Sequence, residues 1–196
     1  MLKSKYNLAT LLILGLLISG CGDSPNLYHL DSVPSAKKLQ TVANLVEVSQ
    51  FDLPEYVQAN EIAVLDEDGV LRLKKDDLWA DSPDRALTAI LSLALDEGLS
   101  AQVAAEPWPF ESPADVRVTV KVQKLVGSQG GELQFSGQYF LSATSGGTLA
   151  EVERFDISVP LADPTVQELS AAHSKAIGIL SLQIAKSISR VRRSTL

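Results

Sequence analysis

The chain has 196 residues, 45% hydrophobic and 21% charged, with a formal net charge of −7 and a single cysteine. That composition suits one folded domain with its own hydrophobic core and lies far from the low-hydrophobicity regime of disordered chains. The acidic balance argues against nucleic-acid binding, and one cysteine excludes an internal disulfide, a CxxC redox pair and a multi-thiolate zinc site.

The chain opens with Lys3 and Lys5, then an uncharged apolar run from Leu8 to Ile18, then the small residues Ser19 and Gly20. This is the layout of a secretory leader. Eleven helical residues at about 1.5 Å each reach about 17 Å, against a hydrocarbon core of about 30 Å, so the run is too short for a stable span. Leu17-Ile18-Ser19-Gly20-Cys21 resembles the bacterial lipobox. In that motif the cysteine sulfur receives diacylglycerol, cleavage falls between the residues that are here Gly20 and Cys21, and the new amine is acylated. A thiol supplies the nucleophile, and small residues let the extended backbone enter a narrow protease groove. The expected organisation is a signal peptide over 1–20, a lipidated tether over 21–36 and a folded domain over 37–196. Covalent diacylglycerol and an N-acyl chain such as palmitate on Cys21 would then hold the domain at a membrane, since two or more chains make attachment stable. Gly22 follows the cysteine and Asp23 comes one place later. The Asp-after-Cys pattern resembling an inner-membrane retention signal is therefore absent, which favours the periplasmic face of the outer membrane.

Residues 22–36 mix turn formers with a small apolar patch, and read as a tether without structure of its own that docks through Leu27, Tyr28 and Leu30. A first strand is expected over Leu45–Phe51, ended by Pro54. A hairpin follows, Glu61–Leu65 turning through Asp66-Glu67-Asp68-Gly69 into Val70–Lys74. Ser82-Pro83-Asp84 supplies an N-cap, a preset first helical φ and an acidic first turn. Leu87, Ile90, Leu91, Ala94 and Leu95 then recur at helical spacing, and Gly98 is expected to end the helix as a left-handed cap. A short strand over Ala101–Ala105 precedes Glu106-Pro107-Trp108-Pro109-Phe110, whose prolines fit neither periodicity.

Val116, Val118, Val120 and Val122 alternate with Arg117, Thr119, Lys121 and Gln123, the pattern of a strand with one buried face. Leu133, Phe135, Tyr139 and Leu141 continue it in a second strand, and Gly146-Gly147 turns into a third over Leu149–Val159, an antiparallel meander. Asp163-Pro164 opens a long helix with a stripe from Leu169 to Val191. The basic cluster Arg190, Arg192 and Arg193 reads as a solvated tail. The fold expected is a single α/β domain, a mixed, largely antiparallel sheet of six or seven strands packed by two main helices.

The search for chemistry yields little. The two histidines, His29 in the tether and His173 on the last helix, lack a recognisable nucleophile or orienting partner in sequence. No G-x-S-x-G, H-x-x-x-H, Walker or G-x-G-x-x-G motif occurs. Asp66-Glu67-Asp68 and Asp76-Asp77 lack the spacing of a calcium loop and read as turn charges. Trp79, between Leu78 and Ala80, reads as a core plug or hinge, with a partner contact as the alternative. Trp108 reads as a ring folded onto the core edge, with a contact role as the alternative. No catalytic residue, metal or noncovalent cofactor is expected.

The lipobox followed by Leu27-Tyr28-His29-Leu30, the strand leading to Asp52-Leu53-Pro54-Glu55-Tyr56, the hairpin into Leu78-Trp79-Ala80 and the closing amphipathic helix together resemble the PqiC-like auxiliary lipoproteins. These belong to ABC-type transport systems associated with MCE proteins. The chain departs from the family pattern at Tyr28-His29, where paired tyrosines are common, and at Gln58-Ala59-Asn60-Glu61, where an Asp-Arg-Pro-like turn is common. The resemblance implies a noncatalytic accessory subunit on the outer membrane's inner face, working with a periplasm-spanning MCE-type partner in intermembrane lipid transport. Self-association is left open. The alternative is a stand-alone periplasmic lipoprotein that binds lipid or another hydrophobic ligand itself.

Overall fold

Alternating valines and leucines in the middle of the chain set the architecture, because period-2 patterning gives each strand one face that must be covered. In the computed structural model, which describes residues 24–31, 38–128 and 131–196, that cover is a layer of helices on one face of an eight-stranded sheet. Gly20 and Cys21 lie outside the described residues. The strands are β1 (Asn26–Tyr28), β2 (Leu45–Val48), β3 (Glu61–Leu65), β4 (Leu71–Trp79), β5 (Gln102–Ala105), β6 (Val116–Ser128), β7 (Glu132–Ala143) and β8 (Ala150–Pro160). The helices are α1 (Glu55–Gln58), α2 (Pro83–Gly98) and α3 (Val166–Arg190), with a final 3₁₀ turn at Arg193–Thr195. Among the described residues no helix is long and apolar enough to cross a membrane.

The long β6 is the spine of the sheet. One edge pairs antiparallel with β7, which pairs antiparallel with β8. The other edge is shared: β2 lies parallel to its first residues, carrying parallel β5 beyond it, while β3 meets its last residues and leads antiparallel into β4 and parallel into β1. Between these two wings the edge is kept satisfied by single contacts. Asp52 bridges it, donating to Val120 O at 3.0 Å and accepting from Val122 N at 2.8 Å, and the Tyr56 hydroxyl accepts from Leu125 N at 3.1 Å. An unpaired backbone donor here would cost about as much as a lost hydrogen bond, so the segment linking β2 to β3 is fixed by the donors and acceptors it must meet.

The buried faces of β7 and β8 close against α3 and those of β2 and β5 against α2, with β6 between the two groups in the sheet. Val116, Val118, Val120, Leu133 and Phe135 are fully buried on the sheet side, and Leu91, Leu95, Leu180, Ile184 and Ile188 on the helix side. Phe135 and Phe155 meet edge to face at 4.8 Å, and Tyr139 and Ser187 hydroxyls pair at 2.9 Å within the otherwise apolar contact. At Gly137 a Cβ would collide with the Lys121 carbonyl oxygen beside the β6 bulge at Val122–Lys124, so only glycine fits.

The expected α/β class, largely antiparallel sheet and two main helices are present, with several local corrections. Gly98 is not a left-handed cap: it is the last helical residue, Leu99 continues extended into a bridge with Leu39, and Leu39 N–H takes the Gly98 carbonyl at 2.8 Å. The first long strand stops at Val48, because Phe51 turns into the core and its N–H goes to the Thr88 hydroxyl. β4 runs on to Trp79 through the polar Lys74–Asp77 stretch, where the register with β3 shifts. The short α1 and β1 were not expected. Arg190 and Arg193 do not belong to a free tail, since they reach the Ser187 hydroxyl and the Val42 carbonyl, and Thr195 O accepts from Leu149 N at 2.9 Å.

Candidate functional site

The feature that joins the domain to whatever lies before it is the seat of residues 24–31. Asn26, Leu27 and Tyr28 add as a parallel strand to the outer edge of β4, level with Asp77, Leu78 and Trp79. The Asn26 amide donates to Asp77 at 2.9 Å, and Ala80 N donates to Tyr28 O at 2.8 Å. The chain then crosses onto α3, where the Ser170 hydroxyl donates to the His29 carbonyl at 2.7 Å and Asp31 N donates to the Ser174 hydroxyl at 3.1 Å. Leu30 is 5% exposed and joins the core. Of the three residues expected to dock, Leu30 is buried and Tyr28 packs half-buried against the core, but Leu27 points to solvent at 66% exposure. An alternating strand cannot bury neighbouring side chains on one side, so Leu27 and Tyr28 face opposite ways.

Beneath this seat, Trp79 and His173 meet edge to face at 5.1 Å. Trp79 is 9% exposed, so it belongs to the core as expected. His173 Nδ1 lies 2.7 Å from the Leu169 carbonyl, which fixes Nδ1 as the donor, and burial pushes the ring's pKa down to about 4. It is a neutral packing residue. His29 is exposed, with Asp31 at 3.3 Å. Each histidine is thus engaged with a backbone or carboxylate neighbour, His29 on the tether and His173 beneath it. Beside the seat a pocket of about 120 Å³ is lined by Tyr28, Leu30, Trp79, Asp81 and Ala89. The Arg85 guanidinium caps Asp81 and, with further backbone bonding, holds its carboxyl below the usual carboxylate range. Burial, then the neighbouring Asp77, pushes the Tyr28 phenol up.

Within the acidic runs, Asp66 and Asp77 are held by local partners. Asp66 accepts from Val70 N at 2.7 Å, Asp68 N at 3.1 Å and Arg72 at 2.9 Å, closing the hairpin turn around Gly69 at φ +77°. Those bonds, led by the Val70 one, lower its pKa. Asp77 takes Asn26 and faces Lys74 at 3.8 Å. Among the described residues no group of His, Cys, Asp and Glu is arranged to hold a metal ion.

The loop after β5 holds its own aromatics. Trp108 is half-buried, donates to Ser112 O at 2.8 Å and meets Phe110 edge to face at 5.0 Å, so it packs within its loop and not on the core. Phe110 is 43% exposed. Asp115 secures the loop's far end by accepting from Asn44 N and Leu45 N, and next to it buried Glu47 pairs with Arg117 at 2.7 Å. The clamping serines 170 and 174 were not foreseen, since small polar residues on an amphipathic helix carry no signal of what they hold.

The sequence model of the ABC-type transport auxiliary lipoprotein component family matches residues 28–185, and the chain belongs to that family. The match begins at Tyr28, inside the clasped strand. Among solved structures, an uncharacterized protein aligns with a TM-score of 0.69 at 19% identity, covering 85% of this chain and 99% of its own. Protein XCC0632 from Xanthomonas campestris, of family DUF330, aligns with a TM-score of 0.67 at 14% identity, covering 85% and 95%. Identities this low speak to a shared fold. No curated protein matches the chain.

Proposed function

We propose that this protein is a noncatalytic accessory subunit of an MCE/ABC-type intermembrane lipid transport system, lipid-anchored through Cys21 to the periplasmic face of the outer membrane. Family membership supports the transport role. The observation that carries the anchored geometry is the clasp itself: the chain is fastened to the domain from Asn26 onward, leaving a short leash to Cys21. Strand edges and the loop over 106–110 are the surfaces available to an MCE-type periplasm-spanning partner, with Phe110 standing exposed at the second. The alternative of a stand-alone lipid binder gains less support. The space between sheet and helices is filled by side chains, and the pocket beside Trp79 holds only about 120 Å³. The roomier hollow of about 560 Å³ beside Tyr28 and α3 is large enough for a ligand, but it is lined by His29, Asp31, Gln167, Ser170 and Ser174 as well as apolar groups, whereas ligand sites are predominantly apolar.

Two measurements test this reading. Labelled palmitate should enter the native protein and not a Cys21→Ser variant, which should move from the membrane fraction to the soluble one; unchanged fractionation would refute the anchor. Mild crosslinking in the envelope followed by pull-down should recover an MCE-type protein. Recovery of lipid alone, with no such partner, would favour the ligand-binding alternative.

A further inference from the structure

The hairpin arm formed by β3 and β4 carries an apolar plate on the face turned away from the helices. β3 serves as a ruler: Ile62 and Val64 are buried on the helix side, so Glu61, Ala63 and Leu65 face the other way. Their partners across the hairpin are Leu78, Leu73 and Leu71, and beyond β4 Leu27 of β1 lies level with Leu78. The register shift that absorbs Lys75–Asp77 keeps all of these leucines on one side. Leu27 is 66% exposed, Leu73 46% and Leu71 37%. Adjoining exposed leucines of this kind mark an interaction surface rather than scattered surface hydrophobics.

The direction of the chain says what covers them. β1 runs parallel to β4, and β4 begins at the hairpin tip, so the N-terminal end of β1 points toward the tip, along the arm. Four residues lie between Cys21 and Asn26, and the five steps from one to the other span at most about 18 Å. Measured along the regular β3, whose Glu61 and Leu65 pair with Leu78 and Leu71, the arm spans about 14 Å. We propose that the leucine face of the β3–β4 arm rests on the lipid surface to which Cys21 is anchored, giving the domain a second, noncovalent membrane contact. The proposal depends on the anchor reading above. Contact is through the flank of the arm, because the tip itself presents Glu67 and Asp68 to water. A fatty anchor with so short a leash confines the arm near the bilayer, where modest apolar contacts suffice to fix orientation.

The test uses the mature, lipidated protein in vesicles of phosphatidylethanolamine and phosphatidylglycerol, some with brominated acyl chains. Acylation consumes the chain's one cysteine thiol, so Leu73→Cys and Leu93→Cys can each be labelled singly with a bimane fluorophore. Leu93 is 47% exposed on α2, in the helix layer that covers the opposite face of the sheet, and serves as the reference. Bromolipid should quench the label at 73 at least twofold more than the label at 93. Equal quenching in protein that floats with the vesicles overturns the proposal and leaves the anchor intact. A label at 73 that is shielded from water yet insensitive to bromolipid also overturns it, and points to a protein partner or a second copy over the plate. A second titratable thiol and failure to float would instead show that the anchor reading has failed, and the proposal with it.

Discussion

His173 shows how much a single side chain can be constrained by its position. On the amphipathic α3 it occupies a core-facing place, wedged against Trp79, with its one proton committed to the Leu169 carbonyl. Burial disfavours the imidazolium, so the folded protein keeps the ring neutral down to about pH 4, while the unfolded chain takes up a proton near the ordinary value of 6.5. Between those limits the unfolded state binds more protons, and stability falls as pH falls, by up to about 3 kcal/mol at the low end. A His173→Gln variant, which keeps a donor for Leu169 and does not titrate, should therefore lose less stability than the native protein between pH 7 and pH 4.5 in urea titrations. Parallel losses would show that the ring is hydrated or charged in the fold. Both histidines were visible in the sequence as solitary; that one lies buried under the tether was not, because a helical stripe gives a residue's face but not what packs on it.

Among the elements, β6 is the one whose edges decide the rest. Its alternating valines announce a strand, and the antiparallel order of β6, β7 and β8 follows from their patterning and short turns. The way its other edge is divided was hidden, because it depends on isolated partners: the Asp52 bridge and the Tyr56 hydroxyl. Replacing Tyr56 by Phe keeps the ring but strands Leu125 N–H in a partly buried place. The expected loss is about 1–3 kcal/mol in denaturant titration, and no loss would mean that water replaces the hydroxyl. The sequence pattern ends β4 early, at Lys74, for a related reason. Lys74-Lys75-Asp76-Asp77 breaks the alternation, and a bulge accommodates it where pattern alone predicts a strand end. The Gly98 expectation failed because glycine after a helix usually supplies positive φ, whereas here Leu99 is fully buried and pulls the chain straight into a bridge.

For the whole molecule, the clasp makes residues 24–31 part of the fold rather than a spacer to it. The family resemblance was legible from motif order, and the class of fold from periodicity. The strand pairing of β1 was not, since Asn-Leu-Tyr next to turn formers carries too short a pattern to register. A soluble domain starting at Lys38 should stay folded, because the sheet and helices keep nearly all of their core, but should be weaker by about 3–5 kcal/mol. That sum covers the lost burial of Leu30 and the four hydrogen bonds at Asn26, Tyr28, His29 and Asp31. Equal urea midpoints for this domain and one starting at Gly22 would mean that the segment is not seated in solution.

The parallel alignment of β1 also governs how the protein bears load. If Cys21 carries the anchor proposed above, tension on it would draw β1 lengthwise along β4, so its rungs would be strained together in shear instead of unzipping one after another. Beyond them, Leu30 sits as a stopper behind the strand. The arrangement is that of a lashed mooring line, in which tension is spread over the whole knot before any of it reaches the hull.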